Sequence, residues 1–278
     1  MNHKYNVLEA IDAGVSLLER TDNPRLESEV LLSHILNVPR SWLIAHPSKP
    51  LSLTNQTQFI NIVNRRKEGL PLPYLLGHWE FFGLDFLVDK HVLIPRPETE
   101  LLVEIAISIS NKLKRPLVAD IGTGSGNIAV SLAYKVPKAL LIASDISFNA
   151  LLLAKTNSLK HKTSRQIQFV QADLLKGLPK VDIICANLPY LTTHETFTLE
   201  VGLNEPHLAL NGGHNGLKYI KQTIITAKSH LREHGTLLLE FGDNLETIMQ
   251  IVARCFADAK LTTHYDLARR PRILQVST

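Results

Sequence analysis

Sulfur is scarce in this chain: 278 residues hold two cysteines, Cys185 and Cys255, and two methionines. Two thiols give no disulfide framework and fit a reducing cytosol. Long apolar runs are missing too. No stretch of about 18 apolar residues occurs, so no membrane-spanning helix is expected. Met1 to Glu19 mix polar and apolar residues at helical spacing and lack the apolar centre of a signal peptide. Neither charge sign dominates: 30 Lys and Arg against 26 Asp and Glu leave a net charge of +4. That balance permits an anionic partner without demanding one, and the basic runs Arg65-Arg66-Lys67 and Arg269-Arg270-Pro271-Arg272 read as solvated faces. The two tryptophans and six tyrosines form no stacking motif for nucleic acid. No metal-ligand spacing such as H-E-x-x-H occurs, and no metal is expected. The expectation is a soluble, unprocessed, cytoplasmic protein whose 45% hydrophobic content supports a full core.

What is present centres on one stretch. Leu117-Val118-Ala119 runs into Asp120-Ile121 and then Gly122-Thr123-Gly124-Ser125-Gly126, after which Ile128, Ala129, Val130, Leu132 and Ala133 follow a helical pattern. This reads as strand, tight turn and helix. Glycine permits positive φ and close approach to a ligand, and the helix start offers unpaired N–H groups. The spacing is neither the G-x-G-x-x-G of a dinucleotide fold nor a Walker loop, which needs Lys-Ser or Lys-Thr.

Around it the chain divides by period. Residues 1–72 read as a small helical domain suited to docking a partner. Asn23 and Pro24 open one of its helices, and a second opens near Thr54 and ends at Gly69. Residues 73–92 contain two short strands about a Gly83 turn, a hairpin connector. Pro95-Arg96-Pro97 is stiff and extended and presents Arg96, with Pro97 leading into a helix. Over 93–278, strands are expected at 117–121, 140–145, 167–172, 181–186 and 236–241, and helices at 127–135, 147–157, 216–231 and 244–257. Such alternation implies a parallel sheet covered on both faces, and two final strands, 260–265 and 272–276, predict an antiparallel pair at one edge.

Ligands of such sheets bind beyond the C-terminal strand ends. Three acids stand there: Asp120, Asp145 and Asp173. Asp145 suits ribose hydroxyls, and Asp173 suits the exocyclic amine of an adenine. Excess carboxylate disfavours a pyrophosphate and favours a sulfonium with an amino group, which points to S-adenosylmethionine. The fourth strand ends Asn187-Leu188-Pro189-Tyr190. A planar amide or exocyclic amine is a poor nucleophile because its lone pair is delocalised. Two acceptors, Asn187 Oδ1 and the Leu188 carbonyl freed by Pro189, would orient its N–H groups and stabilise developing positive charge. Tyr190 would supply a flat wall. Residues 191–215 read as a long lid or substrate loop whose acids and histidines are mostly solvated, and Cys185 as a buried strand residue.

The glycine loop, Asn187-Leu188-Pro189-Tyr190 and, above all, VLIPRPETE at 92–100 resemble the peptide chain release factor N(5)-glutamine methyltransferases, class I S-adenosylmethionine-dependent enzymes. Tyr74-Leu75-Leu76-Gly77, Glu205-Pro206-His207-Leu208-Ala209-Leu210 and Leu238-Leu239-Glu240-Phe241-Gly242 are similar to that family as well. The resemblance implies an α/β, Rossmann-like, seven-stranded and mostly parallel sheet with one antiparallel edge hairpin. It implies methyl transfer to the glutamine amide of the Gly-Gly-Gln motif in class I release factors, leaving S-adenosylhomocysteine. Asp120, Gly122, Thr123, Gly124, Gly126, Asp145, Asp173, Leu174 and Asn187 are the expected cofactor positions. Asn187, Leu188, Pro189 and Tyr190 are the expected catalytic and substrate-gripping positions, with Arg96 either a further substrate contact or a brace of the connection. Leu188 stands where the family carries proline, and Leu174 stands where many members carry an aromatic, so its contact with adenine is expected to be apolar packing. The alternative activity is adenine N6-methylation of RNA or DNA, since the same acceptors would hold an adenine amine.

Overall fold

Apolar periodicity separates the chain into two bodies in the computed structural model, which describes residues 5–278 and divides at Gly77/His78. Residues 1–4, the start of the expected first helical spacing, lie outside the described residues.

The first body is helical. Helices Val7–Leu17, Pro24–Leu36 and Leu53–Lys67 bury Val7, Ile11, Leu31, Leu32, Phe59 and Val63 in one core. Short helices Arg40–Ala45 and Leu72–Leu76, too brief to show a period in sequence, complete it. Asn23 precedes Pro24 as expected, but its side chain makes no capping hydrogen bond. Proline at the first position already removes one of the donors that a cap would satisfy. Arg66 is not part of a solvated face: its guanidinium pairs with Glu27, 2.7 Å from Nε to Oε2, with both side chains largely buried.

In the second body, β1 (His78–Phe81) and β2 (Leu84–Leu87) form an antiparallel hairpin about Phe82-Gly83, and the hairpin groups with this body. The main sheet comprises β3 (Leu117–Ile121), β4 (Leu140–Asp145), β5 (Ile167–Gln171), β6 (Val181–Asn187), β7 (Leu231–Glu240), β8 (Lys260–Tyr265) and β9 (Pro271–Ser277). Its order is β5-β4-β3-β6-β7-β9-β8, parallel except for β9, which is antiparallel to both of its neighbours. This is the expected Rossmann-like, mostly parallel sheet with an antiparallel edge pair.

Helices cover both faces. Phe81, Phe86, Leu102, Val103, Val130 and Leu132 pack on one face, and Ile220, Ile224, Ile248 and Val252 on the other. Because both faces are covered, β3 is buried from Val118 to Ile121, polar Asp120 included. Chain order reverses at β3: β4 and β5 run to one side and β6 to the other. The crevice beyond β3 and β6 is therefore the topological switch point. The region 191–215 differs from the expected open loop. It folds into three short helices, Thr193–Thr198, Glu200–Asn204 and His207–Leu210, the first closed by a capping box between Thr192 and Glu195.

Candidate active site

The glycine turn after β3 is held by its neighbouring strand. Gly122 and Thr123 both donate backbone N–H to the Ser144 carbonyl, at 2.8 and 2.9 Å. Gly124 N–H donates to Asp145 Oδ2 at 2.9 Å. Gly122, Gly124 and Gly126 all have positive φ, and a Cβ on Gly126 would come within 3.0 Å of Ala154 Cβ. Gly126 caps helix Asn127–Lys135 and has no side chain to accept from its first turn. Asp120 supplies that acceptor instead: its Oδ2 takes the Ala129 N–H at 3.2 Å and the Thr123 hydroxyl at 2.6 Å. Complete burial pushes the Asp120 carboxyl up to about 7 against those two hydrogen bonds, and the charge of Asp145 adds to the rise.

A cavity of about 250 Å³ opens at the switch point, many times the room a water molecule needs, so it suits a small molecule. Gly122, Thr123 and Gly124 line it together with Asp145, Asp173, Leu174, Asn187, Leu188, Pro189 and Arg96. Both oxygens of Asp145 are anchored, Oδ2 by Gly124 and Oδ1 by the Ser147 N–H at 2.8 Å. The carboxylate keeps lone-pair capacity for a ligand hydroxyl. Burial raises the Asp145 pKa, and the amides of Ser147, Gly124 and Ile146 oppose the rise. Leu174, bordering the cavity, adopts φ +53, unusual for a side-chain-bearing residue.

Asn187, which also borders the cavity, donates from Nδ2 to Thr99 Oγ1 at 2.9 Å. Leu188 is 3% exposed and packs against the glycine turn, its Cδ2 only 3.2 Å from where a Gly122 Cβ would stand. The PRP stretch also closes on the site. The Glu205 carboxylate accepts the Ile94 N–H at 3.0 Å and pairs with the Arg96 guanidinium.

Comparison with known proteins bears on what this cavity is. Residues 9–77 match the family model described as PrmC N-terminal domain, and residues 98–265 match Methyltransferase small domain. A release factor glutamine methyltransferase of Koribacter versatilis is 35% identical over 273 residues, 96% of this chain and 96% of the relative. That of Moorella thermoacetica is 39% identical over 237 residues, 84% of this chain and 83% of the relative. The chain belongs to the release factor glutamine methyltransferase family. A methyltransferase structure from Pyrococcus furiosus matches with a TM-score of 0.52 at 17% identity, over 71% of this chain and 90% of its own, which speaks for the fold alone.

Within this methyltransferase, three expected site residues do not border the cavity. Asp120 is buried beneath the glycine turn as the cap just described. Gly126 is turned against Ala154, where a helix start and a neighbouring helix approach too closely for a Cβ. Tyr190, expected as a wall of the substrate pocket, packs against the core, with ring carbons 3.3 Å and 3.6 Å from the Cβ position of Gly242. Burial pushes its hydroxyl pKa up to about 12, and the adjacent Glu240 acts in the same direction.

Two further residues of the site carry no signal of their own in the sequence. Thr99 borders the cavity and holds Asn187. Glu205, in a region whose acids are expected to be mostly solvated, is 8% exposed and engaged at both oxygens. Arg96 thus borders the cavity while Glu205 braces it through one terminal nitrogen. The tail arginines are engaged too: Arg270 and Arg272 both pair with Asp266. Pro206, Leu208 and Ala209 bring the 191–215 region to the cavity rim. Cys185 is fully buried on β6, where desolvation, with Asp120 nearby, raises its thiol pKa, consistent with a structural thiol.

Proposed function

We propose that this enzyme transfers the methyl group of S-adenosylmethionine to the side-chain amide nitrogen of the glutamine in the Gly-Gly-Gln motif of class I release factors. The observation that carries the reading is the shared cavity. The glycine turn, Asp145, Asp173 and Asn187-Leu188-Pro189 line the same cavity, and Leu188 packs directly on Gly122.

The donor set fits this cofactor. Asp145 keeps lone pairs for ribose hydroxyls, Asp173 offers a carboxylate to the base, and Leu174 offers an apolar face. Arg96, the cation at the cavity, has its charge balanced by Glu205. When bound, S-adenosylmethionine supplies an electrophilic methyl group on a sulfonium. The chain's own residues then orient the acceptor. Asn187 Oδ1 and the Leu188 carbonyl receive the two N–H groups of the glutamine amide, fix its plane, and stabilise the positive charge that grows on nitrogen. The helical body, which matches the family's N-terminal domain model, engages the release factor outside its Gly-Gly-Gln loop.

The test is transfer of label from methyl-labelled S-adenosylmethionine. Label is expected in purified class I release factor, at the glutamine of Gly-Gly-Gln, and is expected to disappear when that glutamine is replaced by alanine. Label in rRNA or DNA, with none in release factor, would overturn the reading and favour adenine N6-methylation.

A further inference from the structure

Behind Asn187, away from the cavity, stands an acid that the mechanism above does not use. Glu240 closes β7 and lies directly across from Asn187 in the parallel β6–β7 register. It is 2% exposed, and its Oε2 has no hydrogen-bond partner. A buried carboxyl with a bare oxygen costs stability, and such costs persist where a site needs them. Thr99 and Asn187 both act to favour its charged form, and Asn187 is its partner across the strand register. Thr99, 1% exposed on the first turn of helix Glu98–Lys112, accepts from Asn187 Nδ2 at 2.9 Å, so its own hydroxyl hydrogen is free to point at Glu240.

We propose that Glu240 and Thr99 are positioning residues that hold the Asn187 amide with Nδ2 turned inward and Oδ1 turned to the cavity, and that the Glu240 carboxylate polarises that amide. The proposal rests on the methyl-transfer reading above. An amide placed by packing alone is free to flip, exposing two N–H donors to a substrate that itself carries N–H groups. Here Nδ2 donates to Thr99 and Glu240 stands across the register, so the flipped orientation would lose that hydrogen bond and set Oδ1 against an acid. A negative oxygen near Nδ2 also draws electron density through the amide toward Oδ1, strengthening the acceptor that faces the growing positive charge.

Charge on Glu240 is set by its surroundings. Burial pushes its pKa up to about 7, with the Thr99 and Asn187 hydrogen bonds opposing. Glu98, from the helix start, adds to the rise, whereas Arg272 on β9 lowers it. Tyr190 also faces Glu240, and its raised pKa keeps it neutral. Arg272 is shared with Asp266, and Glu98 has Arg270 within 3.8 Å. The polarising form therefore accumulates as pH rises through neutrality.

The experiment compares wild type, Glu240→Gln, Thr99→Val and Thr99→Ser on purified class I release factor, with kcat measured from pH 5.5 to 9 and S-adenosylmethionine affinity measured by calorimetry. Glu240→Gln and Thr99→Val are expected to lower kcat roughly 10- to 100-fold, the range for losing a charge-assisted hydrogen bond. Cofactor affinity is expected to stay within about threefold, which also reports that the variants are folded. Wild-type kcat is expected to rise through pH ~7 and level off. Glu240→Gln should lose that rise, and Thr99→Ser should restore most of the rate. A merely structural role would leave the shape of the pH profile in place. Glu240→Gln retaining both the wild-type rate and the neutral rise, in the presence of an active wild type, overturns the positioning role alone. An inactive wild type overturns the substrate reading and the positioning role together.

Discussion

Asn187 is one atom's choice of orientation away from being useless, which is why its surroundings matter as much as its identity. Its Nδ2 is committed to Thr99. Replacing it by alanine removes the acceptor while leaving the glycine turn and Asp145 untouched. The expected result for Asn187→Ala is a loss in kcat of roughly 100-fold or more, with the calorimetric dissociation constant for S-adenosylmethionine changed only a few-fold. A variant that keeps turnover within a few-fold of wild type would remove Asn187 from the mechanism. Asn187, Leu188 and Pro189 were legible in the sequence because a polar residue and a proline ending an apolar strand leave acceptors at a predictable place. Tyr190 packs toward Gly242 and the core, which the sequence does not announce. One residue beyond the strand, backbone direction depends on Gly212 and Gly216, whose tight packing against the Pro189 and Tyr190 carbonyls is a long-range fact. Glu240 and Thr99 were invisible as partners because they meet Asn187 only after β6 and β7 are paired and helix Glu98–Lys112 is laid beside them.

The glycine turn is built from restrictions on space and on dihedral angle, and these can be separated. Gly126 and Gly177 share φ +80, but only Gly126 has a neighbour in the way, Ala154 Cβ at 3.0 Å from the added carbon. Both alanine substitutions incur the left-handed penalty, about 1–2 kcal/mol. Gly126→Ala must also part helix Asn127–Lys135 from helix Phe148–Lys160. It is expected to lower Tm by roughly 5 °C or more, and by clearly more than Gly177→Ala, in parallel thermal melts. Equal shifts would mean that helix contact contributes nothing at this turn. The boundaries of β3, β4 and helix Asn127–Lys135 agree with the sequence reading because apolar runs there meet turn residues; those of β8 agree as well. Strand β7 begins five residues earlier than the expected 236, since Leu231 pairs with Val181 on β6 beside a register irregularity that no local pattern announces. The short helices over 193–210 have too few residues for a helical period to register.

For the second body as a whole, buried acids set a pH dependence with a definite sign. Asp120 and Glu240 are each raised to about 7 from the usual 3.8 and 4.5, in both cases chiefly by desolvation. Between roughly pH 4 and 7 the folded state keeps protons that the unfolded chain releases, so stability falls as pH rises and levels off above about 7. The ceiling is on the order of 3–4 kcal/mol per acid. Asp85, Glu195 and Asp266 are shifted downward, and their contribution is lost only as pH falls below the usual carboxylate range, outside this window. The urea midpoint is therefore expected to be higher at pH 5.5 than at pH 8, with the difference reduced in Glu240→Gln. A midpoint that is flat or rises over that interval would contradict the assignment of two neutral buried acids. Fold class was readable at this scale because strand–helix alternation admits few solutions. Which acids lie under the glycine turn and which border the cavity was not, since burial is decided by the assembled layers.

Glu205 carries a different lesson, about how such a chain tolerates drift. One of its oxygens answers a guanidinium, and the other answers a main-chain amide that every residue type but proline provides at position 94. A compensating change at Arg96 thus repairs only half of what a change at 205 undoes. In a population of randomised descendants, position 205 should therefore stay acidic even where position 96 drifts.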